Sequence, residues 1–134
     1  MRKYATIPGH SSIIAGVFAQ PLIDRLTRLR APRDFPLSDF TRVRDAVEPC
    51  DVVLIEGRSQ ISDVIKMITQ SPWSHAALSV GTLGEQPDHV QKMLADLHLP
   101  AEEQLVIESV LGHGTIVVPL AKYAQDHVRI CRPE

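Results

Sequence analysis

The feature that most constrains this chain is the run Asp51-Val52-Val53-Leu54-Ile55-Glu56, β-branched and apolar in its middle and cut off by Gly57. A run this short, with Val and Ile restricting their own χ1 angles, suits a buried strand better than a helix. A helical pattern follows at once. Ser59 stands where an N-cap is needed, Ile61, Val64, Ile65 and Ile68 recur on one face, and Ser71-Pro72 ends the repeat. His75 to Gly81 then predicts a second strand, with His75, Ala77 and Ser79 on one side and Ala76, Leu78 and Val80 on the other.

The rest of the chain extends this start into a sheet. Residues 82–103 predict a surface excursion carrying an amphipathic helix with Val90, Met93, Leu94 and Leu97 on its apolar face. Gln104 to Val110 predicts a strand, Gly112-His113-Gly114 a turn and Thr115 to Val118 another strand. Leu120 to Gln125 predicts a short helix, and His127 to Arg132 a last strand. The class expected is α+β: a small curved antiparallel sheet or partial barrel with helices packed on one side and a cleft at the His75 end. At 134 residues one core is the natural solution. The expected division is an N-terminal helical extension and linker over 1–46 and the main domain over 47–134.

Within the extension, Ile13, Ile14, Val17, Phe18, Leu22, Ile23, Leu26 and Leu29 recur at helical spacing, with Pro21 as a kink. Arg25, Arg28, Arg30 and Arg33 crowd the end of that pattern, and Pro32 and Pro36 mark the linker. The arginines offer a peripheral contact with an anionic membrane surface, but they equally suit the helix dipole and solvation, which is the plainer reading. Arg2, Lys3 and Val17-Phe18-Ala19 imitate a secretory leader. Pro8 to Ser12 interrupts it, and no stretch approaches the ~18 apolar residues of a membrane span. A cytoplasmic or peripherally membrane-associated protein is expected. The net charge of -2 gives no field to draw nucleic acid, and two cysteines, Cys50 and Cys131, are too few for a disulfide-stapled scaffold.

Three segments carry chemistry: Pro49-Cys50-Asp51-Val52-Val53-Leu54, then Ser71-Pro72-Trp73-Ser74-His75-Ala76-Ala77-Leu78, then Val106-Ile107-Glu108. Their order resembles the circularly permuted branch of the papain-like, NlpC-like cysteine amidases. This is the YiiX-like group, which is also similar to lecithin-retinol acyltransferase-type proteins. There a strand beginning Pro-Gly-Asp leads to a helix, a Ser-His pair opens the next strand, and a Val-Ile-Glu strand follows. Cys50 departs from that pattern by standing where glycine is usual. The resemblance to bacterial lipo-like proteins runs from about Glu48 to the end, through Pro119-Leu120, Tyr123 and Arg129-Ile130-Cys131-Arg132-Pro133. It implies a permuted papain-like topology and a nucleophilic cysteine in a Cys-Ser context C-terminal to this chain, acting on an amide or ester.

Chemically, a thiol needs an imidazole to take its proton, and the imidazole needs a polar group to orient it. His75 and Glu108 are the catalytic candidates for these two parts, and Trp73 and Ser74 beside them are candidates for binding substrate. The plain alternative puts Glu108 in solvent and makes His75 a capping residue. Cys50 precedes the first strand and His75 begins the second, so an antiparallel pair separates them by about 17 Å. Cys131 lies on a strand rather than at a helix N-terminus, where a thiol is readily ionised. His89, His98, His113 and His127 lack the spacing of a zinc site, and neither metal nor cofactor is expected. The expected partner is a peptide, cell-wall or lipid amide or ester. The rival expectation is a catalytically silent domain binding peptide or lipid, or an inactive fragment of such an enzyme.

Overall fold

The computed structural model describes residues 5–6, 21–22, 24–26, 28, 30–31, 37–111 and 113–134. In chain order they form β1 (Ala5–Thr6), α1 (Phe40–Ala46), β2 (Val52–Glu56), α2 (Gln60–Thr69), β3 (His75–Thr82), α3 (Asp88–Leu94), β4 (Gln104–Val110), β5 (Gly114–Pro119) and β6 (His127–Cys131). Leu83–Glu85, Ala95–Leu97 and Leu120–Tyr123 are 3-10 turns. The fold is α+β, and the strands make one open antiparallel sheet in the order β1-β5-β4-β3-β2-β6. The segment predicted as a short helix over 120–125 is the last of the 3-10 turns.

Alternation along the strands divides the core in two. Val53, Ile55, Ala77, Val106, Ile116 and Val118 share one side, covered by Phe40 and Val43 of α1 and by Leu120 and Tyr123. Leu105 and Val117 face the other side, where Leu94 of α3 closes over them with Val90 and Leu97 partly buried around it. Helices therefore pack on both faces, not on one as expected. The cause is visible in β4, whose adjacent Leu105 and Val106 are both fully buried and point to opposite sides. The helix of the 82–103 excursion consequently covers a core of its own. Its apolar face is rotated from the expected one: Leu94 is buried and Met93 exposed. The strands flanking the excursion still pair, with one bulge between Ser79 and Gly81. Gly81 takes φ 85 there, a conformation that glycine adopts freely.

The N-terminal region is stitched into this body. Ala5 and Thr6 pair with Val117 and Ile116. Arg30 bonds to Asp63 at 2.8 Å, and its backbone N–H donates to the carbonyl of Arg58. Asp39 caps α1 by accepting from the Arg42 N–H, so the segment expected as linker over 31–41 runs into a helix that joins the core. At the sheet edge the Ser38 hydroxyl donates to the carbonyl of Val128 and accepts from its N–H. Of the helix expected over 12–29, residues 21–22 and 24–26 are helical. Ile13, Ile14, Val17, Phe18, Ile23, Leu29, Pro32, Arg33, Pro36 and Gly112 lie outside the described residues. Among the described residues no helix is long and apolar enough to cross a membrane.

At the end of β2 away from its junction with α2, Asp51 is 1% exposed and takes two hydrogen bonds from Arg132, each 2.8 Å, plus one from the Glu48 N–H. Those bonds hold its carboxyl at about 2, below the usual carboxylate range. Beside it Cys50 has φ 72. This is a left-handed backbone that disfavours any side chain with a Cβ.

Candidate active site

The ladder between β3 and β4 brings His75 and Glu108 together. Ala77 faces Glu108 directly, and His75 lies two residues earlier on the same side of β3. From there its ring reaches the carboxylate, with Nε2 2.5 Å from Oε2. Glu108 is almost wholly buried, its side chain 1% exposed, while that of His75 is 28% exposed. Glu108 therefore does not face solvent, and His75 is paired rather than merely capping a strand.

Two further groups converge on the same carboxylate. The Tyr123 hydroxyl donates to Oε2 at 2.5 Å, and the Lys122 ammonium donates to Oε1. Burial alone pushes a carboxyl up, but the hydrogen bonds from His75, Lys122 and Tyr123 outweigh it and hold Glu108 at about 2. The Tyr123 phenol is pushed far above its ordinary value, by burial first and by the neighbouring carboxylate second. Lys122 and Tyr123 were not singled out as site residues from the sequence. The signal was indirect: Glu108 on an apolar strand demands donors, and the next segment to fold back over it is the Leu120–Tyr123 turn, anchored by the buried Leu120.

A cleft of about 410 Å³ opens beside His75. Ile61, Ile65, Val110 and Leu111 give it an aliphatic wall. Its polar side is built at the start of α2, where the Ser59 hydroxyl caps the helix by accepting from the Ser62 N–H and bonds the Ser62 hydroxyl at 2.8 Å. Ser74 also lines the cleft, and its hydroxyl accepts from the Gly57 N–H at 3.0 Å. A Cβ at Gly57 would collide with the Ser62 and Ser74 hydroxyls, so only glycine permits this approach. Arg58 and Asp126 close another side as an ion pair of 2.6 Å, both largely buried. The helix α2 does not bury its whole apolar face, because Val64, Met67 and Ile68 are 48%, 73% and 73% exposed.

Of the two residues expected to bind substrate, the structure places Ser74 in the cleft and leaves Trp73 outside its lining. The Trp73 ring lies 4.9 Å from that of His127. His127 Nδ1 is in turn 3.2 Å from Glu56 Oε2, and Lys66 Nζ is 3.4 Å from Glu56 Oε1. Neither cysteine lines the cleft. Cys50 is exposed, and its N–H bonds to the Ser79 carbonyl at the far end of β3 from His75. Cys131 pairs with Val52, which alternates with the Val53 side, and so lies on the opposite face from His75. Among the described residues no group of three or more His, Cys, Asp or Glu is placed to hold a metal ion.

No family model, curated protein or solved structure matches the chain.

Proposed function

We propose that the cleft serves acyl transfer or hydrolysis at an amide or ester, in the manner of the permuted papain-like enzymes, with His75 as the base and Glu108 as the residue that orients it. One observation carries this reading: a part-exposed imidazole beside a cleft, bonded to a buried and charged carboxylate. Such a pair stabilises the imidazolium formed when a thiol gives up its proton. Ser74 and the aliphatic wall bind the acyl group. The thiol comes from outside the described cleft lining, since neither Cys50 nor Cys131 reaches it. A cleft with an aliphatic wall and neither cysteine in its lining favours a second reading, a silent domain that binds peptide or lipid there.

Chemical complementation separates the two. A small thiol and an activated acyl ester are added to the chain at neutral pH, and formation of the thioester is followed. The enzymatic reading expects saturable acceleration that disappears in His75→Ala. Binding of the ester with no His75-dependent acceleration would leave the silent reading in its place.

A further inference from the structure

Glu108 receives three donors, and two of them come from one 3-10 turn. Leu120 is fully buried and Pro119 closes β5, so the turn is fixed at both its start and its base. It has little freedom to withdraw. Lys122 and Tyr123 follow directly and deliver an ammonium and a phenol to the two oxygens that His75 must share. The Lys122 ammonium also lies 5.1 Å from the centre of the Tyr123 ring, so the two donors brace each other. We propose that Lys122 and Tyr123 are positioning residues: they keep Glu108 an acceptor only, and thereby present His75 to the cleft with Nδ1 as the basic nitrogen.

The chemistry is a matter of counting protons. A charged carboxylate has none to give, so the hydrogen between Oε2 and Nε2 belongs to His75. A neutral imidazole carries one N–H, and its lone pair then sits on Nδ1. Nδ1 makes no hydrogen bond to any described residue. Without the turn, burial would favour a neutral carboxyl, which would donate to Nε2 and leave an N–H on Nδ1. The cleft would then see a donor where it needs a base. The groups that face this centre are His75 from β3, Lys122 and Tyr123 from the turn, and the Asp126 carboxylate, whose charge acts on Tyr123 and is itself held by Arg58.

This inference rests on the reading of His75 as a base, yet its test needs no turnover. The full chain is labelled with ¹⁵N, and the ring nitrogens of His75 are read by long-range proton–nitrogen correlation in wild type, Tyr123→Phe, Lys122→Gln, the double variant and Lys122→Arg. Wild type is expected to show Nε2–H alone. The ratio of Nε2–H to Nδ1–H should fall about tenfold or more in the double variant, as expected for losing charge-assisted hydrogen bonds. It should fall less in each single variant and return with Lys122→Arg. Dispersed amide spectra check the fold. If the double variant unfolds, Tyr123→Phe decides, since it removes one oxygen and little volume. An Nδ1–H ring in wild type, or a folded double variant, or a folded Tyr123→Phe where that decides, with an unchanged ratio, overturns the proposal. Failed complementation with the expected tautomer in place would instead count against the acyl-transfer reading alone.

Discussion

Among the described residues two histidine–glutamate–lysine clusters stand one on each face of the same sheet. His75, Glu108 and Lys122 lie on one; His127, Glu56 and Lys66 lie on the other, because Ile55 pairs with His75 and the next residue, Glu56, with His127. Composition is shared, but the surroundings are not. The Glu108 side chain is 1% exposed and sits 2.5 Å from its histidine; that of Glu56 is 12% exposed and sits 3.2 Å from its own. The first cluster adds a phenol bonded to the carboxylate and opens on a cleft, whereas the second adds the Trp73 ring against the imidazole. The lesson is that residue types alone do not make a site. Burial forces every donor around Glu108 to be aimed, while a wetter carboxylate tolerates loose partners.

The comparison is broken most directly by removing each carboxylate. Glu108→Ala should lower the unfolding free energy by about 3 kcal/mol, because it strands the buried Tyr123 hydroxyl, takes its partner from the part-exposed His75 and opens a hole where a buried side chain stood. Glu56→Ala should cost less, because its carboxylate and the His127 ring keep more contact with water. Urea denaturation of the two variants against wild type measures both, and equal losses would erase the distinction. Tyr123→Phe comes next, at about 1.5 kcal/mol for a buried hydrogen bond to a charged acceptor, by the same measurement.

Acid sharpens the contrast further. Glu108 titrates at about 2 in the folded protein against 4.5 when free, and Asp51 at about 2 against 3.8. Both are depressed, so their stabilisation is complete above the free values and drains away as pH falls through about 2. Thermal midpoints should therefore drop steadily from pH 5 to pH 2, and Glu108→Gln should flatten that slope. The smallest effect lies far from both clusters. Cys50→Gly relieves a side chain at φ 72 and should stabilise by about 0.5 kcal/mol, after the added freedom of the unfolded chain is subtracted. Urea midpoints resolve it, and the two histidine clusters should be untouched.

Strand positions were legible because period-two burial writes itself into Val53, Ile55, Ala77 and Val106. The meeting of His75 and Glu108 was legible only through motif order, since pairing of β3 with β4 across two 3-10 turns and a helix is a tertiary fact. Lys122 and Tyr123 left only the indirect signal of a carboxylate on an apolar strand needing donors, since a turn's sequence does not say which carboxylate it will fold over. The side that α3 buries also escaped, because Met93 and Leu94 are equally apolar neighbours and only the position of Leu105 and Val117 decides between them. Trp73 was read beside His75 and ended beside His127, since the backbone turns into β3 between them.

One bond at the rim of the sheet has a consequence for how these molecules behave in company. Among the described residues β6 is an edge, and an edge strand with open N–H and C=O groups invites a strand from another chain to zip on. Ser38 forestalls this at Val128 by answering both backbone groups with a single hydroxyl, in the place where a foreign strand would begin its ladder. The exposed Arg129 next along adds a charge to the same rim. A chain that lost the hydroxyl would keep its fold but gain a sticky border, and its first symptom would be fibrous association at high concentration rather than unfolding.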